Sequence, residues 1–314
     1  MATTVSEAPP RATQSRPSKK ARGSLNPGWL PWIMLAPAIL LLGAVIVYPA
    51  GNAVWLSLTS TNLLNTAQQQ FIGLDNFAAV FADDEFYRAL RNTAIWTVGS
   101  VGAQLALGMA GALILNSRIR ARGAVRGLVL IPWATPSVLV ALMWMWMLDP
   151  NLGIINHVLQ LVGLQENAYA WLANPATALP TLMFVDIWQG VPFFAVMILA
   201  ALQGVPHTLL EAAKIDGANA WQTFWRVVLP LISSTILITT ILRLIWTANY
   251  FDLILILTNG GPANATLTLP LLAYHTAYRG FDFGLAAAFG VTQAVILAVL
   301  VVFYVRQVRR NELV

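Results

Sequence analysis

The side chains best suited to chemistry in this chain are polar residues that lie inside long apolar runs. Asp186 and Gln189 are three residues apart, which places them on nearly one face of a helix. A second run carries four polar residues whose spacing follows one helical stripe. They are Thr240, Arg243, Thr247 and Tyr250. Because polar groups are costly within an apolar span, we expect them to face a cavity or a partner.

Two interpretations of these residues stay open. Asp186 and Arg243 could simply neutralise each other between two helices, which is a structural role. Alternatively, the polar residues could line a path for a polar substrate, with Asn249 and Asp252 on the other side of the stripe and near its outer end. On that second interpretation the candidate substrate-path residues are Asp186, Gln189, Arg243, Thr247, Asn249 and Asp252.

Other kinds of chemistry find little support. The chain has no cysteine, which excludes disulfides and thiolate sites. His157, His207 and His275 are scattered without metal-ligand spacing. Neither a G-x-x-x-x-G-K-[ST] phosphate loop nor a G-x-S-x-G nucleophile elbow occurs. The sequence therefore predicts no catalytic residue, no metal site and no cofactor in this chain.

The composition is that of a membrane protein. Hydrophobic residues make up 58% of the chain and charged residues only 10%, whereas a soluble domain carries about 25% charge. The net charge of +5 comes from basic residues beside apolar segments. Because they form no basic stripe interleaved with aromatics, we expect no nucleic-acid partner.

Apolar segments predict the fold class. A membrane-spanning helix needs about 20 mostly apolar residues. Six segments meet that requirement, at 30–57, 92–115, 126–148, 178–202, 229–257 and 284–305. The first is too long for the apolar core of a signal peptide, so we interpret it as an uncleaved span. The prediction is an all-α polytopic membrane protein with six transmembrane helices.

Basic residues predict the orientation of these helices. Lys and Arg favour the cytoplasmic side. With a cytoplasmic N-terminus, fourteen of the eighteen Lys and Arg residues fall in cytoplasmic segments. Three of them, Arg88, Arg91 and Arg279, fall outside, and Arg243 lies within a span. Both termini are therefore predicted to be cytoplasmic. Residues 1–27, rich in Pro, Ser, Lys and Arg, are predicted to be a disordered cytoplasmic tail, and residues 28–314 the transmembrane domain.

The connections between spans also carry patterns. On the outside, the segment 58–91 includes "FIGLDNFAAVFADDEFYRALR", which predicts an amphipathic helix on the membrane, and 258–283 contains a turn-rich loop. On the cytoplasmic side, the connection at 206–228 predicts two short helices hinged at Gly217, an elbow longer than most helix–helix connections. It could be an ordinary solvated loop or a docking element.

Residues 211–230, "EAAKIDGANAWQTFWRVVLP", carry a specific resemblance. They resemble the EAA motif of binding-protein-dependent ABC importer permeases, in which E-A-A-x-x-D-G-A is followed by a distal L-P. The matching positions are Glu211, Ala212, Ala213, Asp216, Gly217, Ala218, Leu229 and Pro230. The resemblance implies that the elbow is a cytoplasmic coupling helix between helices four and five, seated on an ATPase subunit. It implies that Glu211 pairs with a basic residue there, that the alanines allow close packing and that Gly217 sets the bend.

A second stretch refines the resemblance. Residues 249–290 are similar to the carbohydrate-uptake permeases of the maltose and glycerol-3-phosphate first-permease group. The shared features are Phe251-Asp252, Thr258 to Pro262, Thr266 with Thr268, and Gly284 to Ala288, joined by "FIGLDNF" at 71–77. The resemblance covers most of 30–310. It implies that Asn259, Gly260, Gly261 and Pro262 form a loop facing a solute-binding protein.

The expected function follows from both resemblances. The chain is expected to be the permease subunit of an ABC importer, forming half of the translocation pathway. Its expected partners are a second homologous permease, a dimeric ABC ATPase that binds ATP and Mg, an extracytoplasmic solute-binding protein and the lipid bilayer. The expected location is the cytoplasmic membrane of a bacterium or archaeon.

The expected cargo is a sugar, oligosaccharide, polyol or glycerol phosphate ester. Two alternatives stay open. One is an ABC permease for an amino acid, phosphate or peptide; the other is an ion-driven secondary transporter that acts without an ATPase.

Overall fold

The computed structural model describes residues 29–64, 69–117 and 121–312. The predicted tail at 1–27 lies outside these residues. The chain divides into two compact units, one ending at Pro49 and one beginning at Ala50. Within the described ranges we find no β-strand, only isolated bridges between Thr59 and Phe71 and between Asn62 and Asp282. The all-α prediction is confirmed for this part of the chain.

Fourteen α-helices are present among the described residues, with two π-helical turns at Gly43–Val47 and Phe224–Val228. In chain order the helices are α1 Leu30–Leu42, α2 Tyr48–Ser57, α3 Asp75–Ala82, α4 Asp84–Asn116, α5 Arg122–Ala134, α6 Ser137–Met147, α7 Ile154–Leu161, α8 Pro175–Gln203, α9 His207–Ile215, α10 Ala220–Thr223, α11 Leu229–Ala248, α12 Asp252–Leu257, α13 Leu269–Tyr278 and α14 Phe283–Glu312.

The predicted number of spans agrees with the structure in its coarse form. Five helical stretches are long and apolar enough to cross a membrane, and a bent pair of helices raises the number to six. The five are Pro31–Ser57, Asp84–Asn116, Pro175–Gln203, Ala220–Leu257 and Phe283–Arg306.

The third predicted span, 126–148, is not a straight helix. Its two halves, Gly123–Ala134 and Ser137–Met147, meet at an angle of 90°. The cause is Pro136, because the residue before a proline is pushed out of the α region, and Thr135 is extended at ψ 130°. The apolar run therefore continues through a sharp corner that its hydropathy does not reveal.

The amphipathic helix predicted within 58–91, from Phe71 onwards, is also divided. Residues 75–82 form α3, and the long α4 begins at Asp84, eight residues before the predicted start of the second span. Asp83 separates them, because its carboxylate accepts a hydrogen bond from the Glu85 amide and caps the new helix.

Helices α4 and α8 form the centre of the second unit. They approach closely because glycines face the partner helix. A Cβ at Gly108 would collide with Phe194, and one at Gly99 would collide with Met183. Small residues at such contacts let helix backbones pack tightly within membranes.

Two apolar clusters lie along this pair of helices. The first contains Trp96 of α4 and Val185 of α8, and the second contains Ala112 and Phe193. Between them, in the turns of α8 that follow Val185, come the polar residues singled out in the sequence.

Candidate functional site

A buried polar triad joins the three central helices. Arg243 of α11 donates through Nε to the Gln104 side-chain oxygen of α4 at 2.9 Å. The Gln104 amide donates to a carboxylate oxygen of Asp186 on α8 at 2.8 Å, and Arg243 Nη2 lies 3.5 Å from the other oxygen. All three side chains are at least nine-tenths buried. The triad neutralises its own charge, as the structural interpretation expects for Asp186 and Arg243.

A glycine makes room for this triad. Gly190 lies one turn after Asp186, and a Cβ placed on it would collide with the side chains of both Gln104 and Arg243. The polar contacts therefore depend on the absence of a side chain on this face of α8.

Two helix breaks lie beside the triad. The first is the corner between α5 and α6, and the second is the segment 249–251 between α11 and α12. A break frees backbone carbonyls that need partners away from water. The Trp96 indole donates to the Thr247 carbonyl at 2.9 Å, and the Gln293 amide donates to the Ala248 carbonyl at 3.1 Å. Side chains of α4 and α14 thus stabilise the broken end of α11.

Gln189 connects the two breaks. Its side-chain oxygen accepts a hydrogen bond from the Tyr250 hydroxyl at 2.8 Å, and its amide donates to the Thr135 carbonyl at 3.3 Å. A second bridge runs from the Ser137 hydroxyl to a carboxylate oxygen of Asp252 at 3.2 Å. Both corners are therefore tied to each other through side chains.

A cavity of about 180 Å³ opens where these elements meet. Irregular backbone at membrane depth is tolerated where it lines such a cavity. The Thr247 hydroxyl, which belongs to the lining, is buried and has no hydrogen-bond partner within the described residues. The lining residues are Trp133, Ser137, Gln189, Arg243, Trp246, Thr247 and Tyr250.

The cavity wall combines aromatic faces with hydrogen-bonding groups. Phe193 holds two of the rings in place, with ring centroids 5.8 Å from Trp133 and 5.5 Å from Trp246. Among the seven lining residues the charged one is Arg243, and Asp186 balances it. Such a wall can bind a polar, ring-containing molecule through stacking and hydrogen bonds.

The elbow has the predicted helix–glycine–helix form. Gly217 has φ +77°. The Gly217 amide donates to the Lys214 carbonyl at 3.1 Å, and the Ala218 amide donates to the Ala213 carbonyl at 2.9 Å. These two bonds form a Schellman motif, which ends α9. Asn219 and Gln222 then form a reciprocal capping box that starts α10.

The elbow presents one face and packs the other. Ala213 is buried, and Leu210 packs against the second apolar cluster, which includes Val205 and Ile232. Glu211, Ala212 and Asp216 are exposed. The buried face thus packs against an apolar cluster to which α8 and α11 contribute.

The predicted loop at 259–262 is held from several sides. Asn92 of α4 donates to the Asn264 and Leu267 carbonyls at 3.1 and 2.9 Å, and the Thr266 hydroxyl donates to the Gly261 carbonyl at 2.8 Å. Of the four predicted residues Asn259 is exposed, whereas Gly260 is buried.

The exposed Asn259 has a histidine partner. His275 Nε2 lies 3.0 Å from the Asn259 side-chain oxygen. Partial burial lowers the pKa of His275, and the nearby positive charge of Arg279 acts in the same direction.

Residues 104–312, which contain the triad, the cavity and the elbow, match a protein family described as "binding-protein-dependent transport system inner membrane component". The chain belongs to this family. The match includes Glu211 to Ala218, which carry the resemblance, and it begins at Gln104 within α4.

Members of this family with similar sequences include named sugar permeases. The chain is 33% identical over 277 residues to the trehalose/maltose transport system permease protein MalF of Thermococcus litoralis, covering 88% of this chain and 92% of that protein. It is 32% identical over 277 residues to the trehalose transport system permease protein SugA of Mycobacterium tuberculosis, covering 88% of each.

Solved structures of transporters share the fold. A chain of a bacterial ABC transporter involved in the import of the acidic polysaccharide alginate superposes with a TM-score of 0.77 at 28% identity, covering 90% of this chain and 96% of that one. A chain of the MetNI methionine ABC transporter superposes with a TM-score of 0.53 at 21% identity over 71% of this chain, a likeness in fold alone.

The structure places the predicted substrate-path residues in three groups. Gln189, Arg243 and Thr247 line the cavity. Asp186 does not line the cavity but contacts Arg243, which does, and Asp252 accepts a hydrogen bond from the lining residue Ser137. The Asn249 side chain instead donates to the Ile245 carbonyl and accepts from the Gln293 amide. Asn249 and Asp252 therefore have different partners in the fold, and their place on a substrate path stays a prediction.

Three important residues were not identified from the sequence. Gln104 was one amide in an apolar run, and that isolation was the available signal. Trp133 and Ser137 flank the corner before α6, and the signal there was Pro136. Neither of these sequence features predicts which helix the residue contacts.

Proposed function

We propose that this permease is the transmembrane subunit of an ABC importer that takes up a saccharide and forms half of the translocation pathway. The observation that carries the proposal is the similarity, over 88% of this chain, to permeases named for trehalose and maltose transport. The cavity supports it, because sugar rings stack on aromatic faces and their hydroxyls pair with amide, hydroxyl and guanidinium groups.

The proposed assembly contains further proteins. A second, homologous permease completes the pathway, a dimeric ATPase binds ATP and Mg inside the cell, and a solute-binding protein delivers the cargo outside. A neighbouring solved structure is that of an alginate transporter in complex with a periplasmic protein carrying an alginate pentasaccharide. We infer a multi-pass location in the cytoplasmic membrane of a bacterium or archaeon, with both termini inside.

The proposed mechanism starts at the elbow. Glu211, Ala212 and Asp216 are exposed and available to the ATPase, whereas Ala213 and Leu210 are packed against the bundle. Closure of the ATPase therefore moves α9, and α9 transmits the movement to α8 and α11. The same two helices carry Gln189 and Arg243 to the cavity, so movement of the elbow changes the cavity wall.

The chain's own residues bind and release the cargo without covalent chemistry. Trp133 and Trp246 offer faces for stacking, while Gln189, Thr247 and Tyr250 offer hydrogen-bonding groups. Rearrangement at the two corners then opens the cavity to one side of the membrane or the other. No cofactor bound to this chain takes part in the proposed cycle.

Uptake by cells tests the proposal. Cells lacking this chain are supplied with labelled trehalose, maltose or an alginate oligosaccharide, and with a labelled amino acid mixture and phosphate as controls. We expect the loss of at least one saccharide uptake, restored by the wild-type gene. Loss confined to amino acids or phosphate, or saccharide uptake that continues without an ATPase partner, would contradict it.

A further inference from the structure

Helix α7 lies in the connection between two predicted spans and is not used by the proposed transport mechanism. Six residues separate it from the end of α6 at Met147, and α8 begins at Pro175. A connection this close to the end of a span lies at the level of the bilayer surface. With the bent pair of α5 and α6 crossing the bilayer as one span, α7 would lie beside lipid headgroups and the upper part of the acyl chains.

One buried side chain fixes the orientation of α7. Asn156 donates to the carbonyls of Pro150 and Tyr169 at 3.2 and 3.0 Å, and its oxygen accepts from the Trp171 indole at 2.9 Å. Asn156 is 3% exposed. The helix therefore cannot rotate about its axis without losing several buried hydrogen bonds.

The exposed surface of α7 is divided into two flanks. With about 100° between successive residues, Ile154, Val158 and Leu161 fall within roughly 60° of one another. His157 and Gln160 fall on the adjacent flank, centred about 90° away. All five side chains are exposed. One helix thus presents an apolar surface and a polar surface side by side to its environment.

Two hollows border α7, and they differ in polarity as its two flanks do. One hollow, of about 370 Å³, is apolar and is lined by Ile155 together with Trp144, Leu148, Pro180 and Phe184. Phe184 belongs to the span α8 and is more than half exposed, so this hollow borders the membrane-facing surface. The other hollow, of about 400 Å³, is lined by Asn151, Asn156, His157 and Gln160.

Charge distinguishes lipid from a protein partner as the occupant of the apolar flank. Residues 150–165 contain no Lys, Arg, Asp or Glu. The segment therefore offers no charge that would set the register of a protein partner. An apolar flank beside a polar flank, level with a membrane surface, is the arrangement of an interfacial helix.

We propose that α7 is an interfacial membrane anchor. Its apolar flank of Ile154, Val158 and Leu161 rests against the acyl chains of phospholipids, and its polar flank of His157 and Gln160 faces water. The apolar hollow beside Ile155 receives an acyl chain. The anchor fixes the height of the C-terminal end of α6 relative to the bilayer, and α6 leads back to the corner with α5. The lack of basic residues means that the anchor does not depend on anionic lipid.

Site-directed spin labelling tests the anchor, because the chain has no cysteine of its own. Four variants, Val158→Cys, Leu161→Cys, His157→Cys and Gln160→Cys, are labelled in the complete transporter in phosphatidylcholine liposomes. The unsubstituted chain in the same complex measures the background. Retained uptake shows that each variant is folded. Collision with oxygen, which concentrates in lipid, is compared with collision with a water-soluble nickel chelate.

We expect the labels at 158 and 161 to collide several-fold more with oxygen than with nickel, and those at 157 and 160 to show the reverse. Replacing a third of the lipid with phosphatidylglycerol should leave these ratios unchanged. Nickel access at 158 and 161 equal to that at 157 would overturn the proposal, since the apolar flank would then face water. Protection at 158 that appears only when the solute-binding protein is added would also overturn it, in favour of a protein docking surface.

Discussion

The Tyr250 hydroxyl donates a hydrogen bond to the Gln189 side-chain oxygen at 2.8 Å, and this contact joins the break after α11 to the middle of α8. Gln189 passes the connection on to the α5–α6 corner through the Thr135 carbonyl. One amide therefore spans both interruptions that line the cavity. Replacing Gln189 would therefore remove a contact from each break at once.

Removing that hydroxyl should reduce transport more than stability. In Tyr250→Phe the ring stays, but Gln189 loses a partner worth about 1 kcal/mol. We expect uptake to fall several-fold while the unfolding temperature in detergent changes by only a few degrees. Tyr278→Phe, at an exposed tyrosine of α13, serves as the matched control. Equal uptake in the two variants would show that the contact is not used.

The Asp186–Arg243 pair should behave as a coupled unit. Asp186→Ala leaves Arg243 buried without its counter-charge, and Arg243→Ala does the same to Asp186, each at a cost of about 3–5 kcal/mol. The double variant removes both charges and should recover part of that loss. Size-exclusion chromatography and thermal unfolding of the assembled complex measure the cycle. Strictly additive losses would mean that the two residues do not interact.

The recovery should extend to assembly but not to transport. Arg243 lines the cavity as well as pairing with Asp186. The double variant is therefore expected to assemble and still take up little substrate. Full recovery of uptake would assign the pair a structural role alone.

Gly190→Ala should be destabilising although alanine is the better helix former. Its Cβ would overlap Gln104 and Arg243, and forcing that overlap costs about 1–3 kcal/mol. Gly102→Ala on α4 is the control, because a Cβ there meets nothing within 4 Å. Without a clash, Gly→Ala in a helix stabilises by up to about 1 kcal/mol. The unfolding temperature should be lower than that of the wild type in Gly190→Ala and higher in Gly102→Ala. A shift of the same sign in both variants would refute the clash.

The elbow should control energy coupling. Gly217→Pro removes the amide that bonds to the Lys214 carbonyl and forbids φ +77°, and Glu211→Lys reverses an exposed charge. Both variants should insert into the membrane yet lose uptake and the substrate-stimulated ATPase activity of the complex. Glu166→Lys, an exposed acid in another connection, is the control for charge reversal. Normal coupling in both elbow variants would remove the elbow from the mechanism.

The sequence by itself determined that this is an all-α membrane protein, how many apolar segments it has, and that the elbow consists of two helices joined at Gly217. Hydropathy is a local property, so runs of about 20 apolar residues predict spans without knowledge of their neighbours. The bend at Gly217 was equally predictable, because only local backbone geometry demands a residue that tolerates positive φ. The family resemblance rested on the same continuous stretch, Glu211 to Pro230.

The tertiary structure alone decided what the polar residues do. Gln104, Asp186 and Arg243 are far apart in the chain, and no local pattern tells which amide sits between which charges. The stripe through Thr247 and Tyr250 was predictable from helical periodicity, but α11 ends at Ala248, and that break turns Asn249 towards Gln293 and away from the cavity. The partners that stabilise the break, Trp96 and Gln293, come from other helices. Long-range side-chain hydrogen bonds set the site because a broken helix in a membrane must find its missing partners elsewhere in the fold.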